Sequence, residues 1–307
     1  MTSATNVTPD QLSYQTEPEL TPAFDVLNYG ATPSPLVFSS PHSGSIYPQS
    51  FLAQSQLDPF TLRKSEDVGV DELFTPAAQL CSSPLLRAHF PRAFLDANRE
   101  PYELDPRMFD GPLPHFVNTR SIRASAGLGT IPRLVDEGKL IYNTPLPVRE
   151  IDRRLAVFYM PYHRALHDLL HGAQHHWGTA LLIDCHSMPS AQNARGDQAF
   201  KADVVLGDRY GTTCHPDMTS VLEMSLRHYG YKVERNKPYA GGFITQHYGA
   251  PRLGRHAIQI EINRALYMDE ASLTLHAHRH ELAQHLAHAC AQLRAYFDGQ
   301  CAYEAAE

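Results

Sequence analysis

Several function classes are closed to this 307-residue chain by what it does not contain. No run approaches the about 18 consecutive apolar residues of a membrane-spanning helix. Positive charge is not in excess: 26 Lys and Arg stand against 33 Asp and Glu, a formal net charge of −7. That balance excludes a generalised nucleic-acid footprint. Cysteine is scarce, and Cys81, Cys185, Cys214, Cys290 and Cys301 form neither a CxxC pair nor a zinc-finger spacing. Reduced thiols and a cytoplasmic protein are the expectation. The opening MTSATNVTPDQLSYQTEPEL lacks the basic and apolar regions of a secretory signal, so residues 1–20 read as an extended or mobile lead-in. Repeats, low-complexity blocks and Gly/Ser linkers are absent after it, which leaves residues 21–307 as a single domain.

What is present begins with histidine, 18 of 307 residues. Histidine is both a common metal ligand and the usual acid–base side chain near neutrality. Position must decide which few of them work. Short apolar runs alternate with longer helical patterns. Strands are expected at Pro35–Phe38, Leu85–Phe90, Ala93–Asp96, Ala180–Ile183, Val204–Leu206 and Ala257–Ile262. Apolar residues at helical spacing predict helices over Asp67–Leu80, Ile151–Leu170 (with a kink or break at Pro161), Asp217–Tyr229 and Ser272–Phe297. Strands separated by helices imply a layered α/β fold on a mainly parallel sheet.

Polar residues gather at strand ends. His42 follows Phe38 by four residues, Asp184-Cys185-His186 ends one apolar run, and Glu261 and Asn263 end another. Open α/β sheets bind ligands beyond the carboxyl ends of their strands, so three strands here point to one edge. A lone strand-end histidine is usually a loop residue. Two of them, each followed by Ser with Gly or Pro close behind, favour a metal pair. A catalytic zinc takes three protein ligands and keeps one position open for water. The third ligand must come from elsewhere, and Ser65-Glu66-Asp67 offers carboxylates that could equally cap a helix. Asp184 reads either as a carboxylate orienting a ligand or as a loop cap.

Several attractive residues have bland readings. His280 and His285 resemble a zincin helix, but they lie five residues apart, about 500° of rotation instead of the roughly 400° that shares a face. The other histidines of 276–288, and those of 167–176, read as solvated helix positions. Asp96-Ala97-Asn98-Arg99, with Arg92 upstream, is either a turn with a surface arginine or a fork for a carboxylate. Glu261 lies in an apolar strand, where a carboxylate is costly unless ion-paired or working.

Taken together, the ordered segments resemble the N-formylglutamate amidohydrolase family. They are Ser-Pro-His-Ser-Gly at 40–44, Glu-Asp-Val-Gly-Val-Asp-Glu-Leu at 66–73 and Leu-Asp-Ala-Asn-Arg-Glu-Pro at 95–101, then Leu-Ile-Asp-Cys-His-Ser-Met-Pro at 182–189. Gly-Gly-Phe-Ile-Thr-Gln-His-Tyr-Gly at 241–249, Ile-Gln-Ile-Glu-Ile-Asn-Arg at 258–264 and Tyr-Met-Asp-Glu at 267–270 complete the set. The family is similar to zinc carboxypeptidases and aspartoacylases, which implies a three-layer α/β/α sandwich with a mixed, mostly parallel sheet. It also implies one Zn²⁺ per chain, with His42 and His186 as imidazole ligands. Carboxypeptidases place a carboxylate three residues after the first histidine, where this chain has Ser45, which leaves the third ligand to Asp67 or, second, Glu66. By the same resemblance Glu261 is the general base and Arg92 polarises the scissile carbonyl. Asn98 and Arg99 then hold the substrate carboxylate.

The implied activity is hydrolysis of N-formyl-L-glutamate to formate and L-glutamate, the end of one route of histidine breakdown. The implied partner is a small molecule, not a nucleic acid or a membrane. A dicarboxylate needs a second positive clamp: Arg264, grouped with the substrate-binding residues, Arg123 and Arg120 are the candidates. Gly241-Gly242 could admit a close backbone approach or form a plain turn. The alternatives are a related zinc amidase acting on another N-acyl amino acid or short peptide, and a non-catalytic metal- or carboxylate-binding module on the same fold.

Overall fold

A computed structural model describes residues 14–27, 33–135, 138–190 and 202–304, with side chains to 299. Most of the expected lead-in (1–13) and the Cys301 side chain therefore lie outside the described residues. Within the rest of that lead-in, Glu17 and Leu20 are buried, and Glu17 pairs with Arg153 at 2.9 Å.

The strands are β1 (Phe24–Leu27), β2 (Leu36–Ser40), β3 (Leu85–Ala88), β4 (Leu134–Val135), β5 (Lys139–Leu140), β6 (Ala180–Met188), β7 (Val204–Gly207), β8 (Val233–Arg235), β9 (Arg255–Asn263), β10 (Met268–Asp269) and β11 (Thr274–Leu275). The helices are α1 (Gln49–Gln54), α2 (Pro59–Arg63), α3 (Val70–Leu80), α4 (Ile122–Ser125), α5 (Arg149–Arg154), α6 (Met160–Trp177), α7 (Pro216–His228), α8 (Phe243–Tyr248) and α9 (Arg279–Glu304). Seven strands form one sheet in the order β1-β3-β2-β6-β9-β7-β8. The β1–β3 and β9–β7 pairs are antiparallel and the other four are parallel, so the sheet is mixed and mostly parallel.

Side chains alternate across a strand, and that alternation builds both layers. Leu36 and Phe38 of β2, Leu181 and Ile183 of β6, and Ile258, Ile260 and Ile262 of β9 pack into one core with α3, α7 and α9. Val37, Leu182 and Ala257 face the opposite way, into a second core with α6 and residues of α8. Helices thus cover both faces of the sheet, giving three layers. β6 is buried at all nine positions, as a central strand must be. On its α6 side, however, the residues change along its length from Leu182 to Asp184 to His186. β9 does the same beside it, from Ala257 to Gln259 to Glu261, with Asp184 opposite Gln259 and His186 opposite Glu261. The second face of the central strands is core at one end and polar site at the other.

Some elements differ from expectation. Ala93–Asp96 forms no strand. Phe94 and Leu95 donate back to Pro91 O in a turn, and Asp96 N bonds Thr130 O on another loop. The first long helix begins at Val70, because Gly69 adopts φ +71°, which leaves Asp67 outside the helix. The last begins at Arg279, not Ser272: Leu273 takes φ +56° and Thr274–Leu275 pair with β10. Pro161 does not break its helix. A π-helical turn over Leu155–Tyr159 immediately precedes it, and α6 runs on to Trp177.

Candidate functional site

His42 stands in the loop after β2. Gly44 lets that loop lie on the next strand's exit, since a Cβ there would come within 2.1 Å of Phe90 O. Asp67 N donates to His42 O (3.0 Å), which ties this loop to the segment before α3. His186 ends β6. The three side chains are buried and converge, with one ligand atom from each lying within 4.8 Å of the others.

Each ring is pinned by a carboxylate on its outer nitrogen. His42 Nε2 lies 2.7 Å from Asp96 Oδ1, and His186 Nε2 lies 2.9 Å from Asp184 Oδ2. Both Nδ1 atoms therefore face Asp67 Oδ2, at 3.4 Å from His42 and 3.0 Å from His186. His42 Nδ1 is buried and has no hydrogen-bond partner among the described residues. A buried polar atom left unpaired is costly and calls for an occupant. Two imidazole nitrogens and one carboxylate oxygen, backed by carboxylate–histidine contacts, are a donor set that suits zinc. Asp67 Oδ1 accepts from Arg264 (3.1 Å) and from Ser187 Oγ (3.2 Å), which leaves Oδ2 facing the rings. Glu66 does not join the group. It accepts from Tyr47 OH at 2.6 Å and from Arg63 Nε at 3.2 Å.

The electrostatics match the geometry. Burial opposes charge on Asp67, but His186 and His42 outweigh it and hold the carboxyl well below its usual range. Asp96 is likewise held low against burial, by Arg99, His42 and Arg92. Asp184 and Asp67 hold His186 well above the ordinary imidazole value in spite of its burial. Glu261 behaves oppositely. Burial pushes its carboxyl up to about 7, opposed by His186 and assisted by Asp67.

Glu261 accepts from Gln259 Nε2 at 2.7 Å, and Gly242 N donates to Gln259 Oε1 at 2.7 Å. The Gly242 amide thus fixes which end of Gln259 meets the glutamate. Asn98 serves as a strut: its Oδ1 accepts from Ile244 N (2.8 Å), while its Nδ2 lies 3.1 Å from His186 Nε2 and 3.4 Å from Asp184. Gly242 permits this packing, because a Cβ there would lie 2.5 Å from the Asn98 amide.

His42, Asp67, Arg92, Asn98, Arg99, His186, Glu261 and Arg264 all line one cavity of about 420 Å³. Arg92 donates from Nε to Asp96 (3.0 Å), and no described residue bonds its terminal nitrogens. Arg99 donates to Leu128 O (3.0 Å) and Asn98 O (2.8 Å). Lys64 and Arg123 also line the cavity, whereas Arg120 does not. Among the described residues, His42 and His186 are the only histidines that reach it. The others have outlying positions, such as His285 stacked on Tyr229 at 4.0 Å. Sequence reasoning missed Asp96 as the partner of His42 and Gln259 as the partner of Glu261. Only the second left a signal, since Gln259 is two residues before Glu261 on a strand and so shares its face.

The model of the N-formylglutamate amidohydrolase family matches residues 34–268. An N-formylglutamate deformylase of Pseudomonas aeruginosa is 29% identical over 263 residues, 85% of this chain and 91% of that protein. One from Pseudomonas putida is 27% identical over 262 residues, 84% of this chain and 90% of that protein. The crystal structure of N-formylglutamate amidohydrolase from Ralstonia eutropha superposes with a TM-score of 0.85 at 35% identity, covering 91% of this chain and 99% of that one. A gene product of Agrobacterium tumefaciens shares the fold at a TM-score of 0.65 and 17% identity, over 90% of this chain and 96% of that one.

Proposed function

The chain belongs to the N-formylglutamate amidohydrolase family, and from that premise we propose that it hydrolyses N-formyl-L-glutamate to formate and L-glutamate. The observation that carries the proposal is the buried His42–Asp67–His186 group with Glu261 paired across the strand from His186. These three residues would hold one Zn²⁺ per chain. When bound, such an ion supplies a Lewis acid for the amide carbonyl and makes water a stronger acid.

The protein's own groups account for the remaining chemistry. Glu261, with its carboxyl near 7, is poised to take a proton from the attacking water and return it to the leaving nitrogen. The water oxygen becomes part of formate, the C–N bond breaks, and the proton passes from oxygen to nitrogen through one carboxylate. Gln259 keeps that carboxylate aimed. Arg92, oriented by Asp96, directs its terminal nitrogens where negative charge grows on the amide oxygen. Arg99 forms the wall for the substrate α-carboxylate, and Asn98 ties that wall to Asp184 and the Ile244 amide. Five cationic side chains against two carboxylates in the lining favour an anionic substrate. A single catalytic domain over residues 21–307, a cytoplasmic location and a place at the end of histidine breakdown belong to the same proposal.

Metal analysis coupled to formate release tests it. The purified protein should carry zinc, release formate from N-formyl-L-glutamate, lose activity to a chelator and regain it with Zn²⁺. Full activity in metal-free protein, or N-acetyl or peptide substrates preferred on a panel, would refute it.

A further inference from the structure

The cavity holds more positive charge than one carboxylate requires, and most of it is already committed. Arg264 is largely committed, with four of its five N–H groups engaged: Nη2 donates to Glu66 O (2.6 Å) and Asp67 Oδ1 (3.1 Å), Nη1 to Lys64 O (3.3 Å), and Nε to Ser187 Oγ (3.1 Å). It braces a candidate metal ligand and keeps a single N–H, on Nη1, for anything else. Arg99 spends Nε and one Nη1 N–H on backbone carbonyls, and its Nη2, 3.7 Å from Asp96, is what the substrate α-carboxylate would meet. Arg123 differs. It is exposed, lines the cavity, and no hydrogen bond or ion pair to any described residue holds its guanidinium.

Its backbone, by contrast, is fixed. Arg123 lies in the single turn α4, capped by Ser121 Oγ accepting from Ala124 N (2.9 Å), and Arg123 O accepts from Leu128 N (2.9 Å). Arg92 feels Asp67 and Glu261, while Arg99 is opposed by both Arg92 and Arg123. The three guanidiniums share one cavity lining, and Arg123 is the exposed one of the three. An uncommitted arginine on an anchored backbone at the exposed side of the cavity suits a carboxylate remote from the reacting bond.

We infer that Arg123 recognises the second carboxylate of the substrate and so sets a preference for dicarboxylic over monocarboxylic N-acyl amino acids. This rests on the amidohydrolase reading of the cavity. It gives the outer clamp to a residue whose guanidinium no described residue holds.

The test compares wild type, Arg123→Gln and Arg123→Lys on N-formyl-L-glutamate and on N-formyl-L-glutamine, whose neutral amide replaces the carboxylate at equal size. Arg123→Gln should lose about 10- to 100-fold in kcat/KM on the glutamate substrate, carried by KM, and far less on the glutamine one. Arg123→Lys should recover part of the loss. Equal losses on both substrates, or no loss on N-formyl-L-glutamate, overturn the inference. Calorimetric binding of glutarate to the same variants separates it from the proposed function. If wild type does not hydrolyse N-formyl-L-glutamate, the proposed function falls. The clamp still stands if Arg123→Gln weakens glutarate binding, and falls if it does not.

Discussion

Asp96→Asn changes one oxygen to an amide nitrogen at constant volume, and four neighbours register it. Asp96 is buried, with His42 Nε2 at 2.7 Å, the Asn98 amide at 2.9 Å, Arg92 Nε at 3.0 Å and an Arg99 nitrogen at 3.7 Å. All four are donors or cations, so a neutral residue carrying two N–H groups of its own cannot satisfy them. Two effects with different sizes follow. Losing the carboxylate behind a metal-binding imidazole costs about 10- to 100-fold in metal affinity, roughly 1.4 to 2.7 kcal/mol. Stranding Arg92 and Arg99, whose side chains are 29% and 11% exposed, costs less than about 3 to 5 kcal/mol of stability, the penalty for breaking a fully buried ion pair from one side. A domain stable by about 5 to 15 kcal/mol would survive that loss with a lowered Tm. Zinc affinity measured by competition with a chromophoric chelator, beside a thermal melt of the metal-free protein, resolves the two. A folded Asp96→Asn protein that binds zinc within twofold of wild type would refute the view that this carboxylate orients His42.

Other outcomes follow from the same geometry. Glu261→Gln should lower kcat by about 10²- to 10⁴-fold at unchanged zinc content, and zinc loss would show instead that Glu261 is a ligand. Gly242→Ala should cost about 1 to 3 kcal/mol in urea denaturation, because its Cβ would lie 2.5 Å from Asn98. Gly172→Ala, in α6 with nothing within 4 Å of its Cβ, should instead stabilise by up to about 1 kcal/mol. Equal effects at the two glycines would contradict the packing argument. Burial lowers His163 from 6.5 to about 4, so the unfolded chain takes up its proton first as pH falls. His163 therefore costs wild type stability between pH 6.5 and 4, by at most about 3 kcal/mol. The stability difference between wild type and His163→Gln should shrink by that amount from pH 7 to pH 4, and a constant difference would rule this out.

Much of the layered fold and part of the site were legible because both follow from strand periodicity. Buried strands announce themselves as apolar runs, and His42, His186 and Glu261 stand where such runs end. The choice of Asp67 over Glu66 came from the family resemblance and not from the residues themselves. It depends on which carboxylate faces His42, a residue 25 positions earlier, and on Gly69 delaying the helix. Arg264 and Arg123 were both candidates for the second clamp, and what separates them is what folds against each. The missed helix start at Ser272 has the same origin, since Leu273 adopts a left-handed backbone no propensity would assign to leucine.

The face shared by β6 and β9 has a consequence for how this protein fails. A slip of one residue in β9 would turn Glu261 and Gln259 into the α3/α9 core and bring isoleucines into the cavity. Misfolded chains with a displaced central strand would thus be inert, not partly active. Activity then counts correctly registered sheets, which makes refolding yield and specific activity the same measurement.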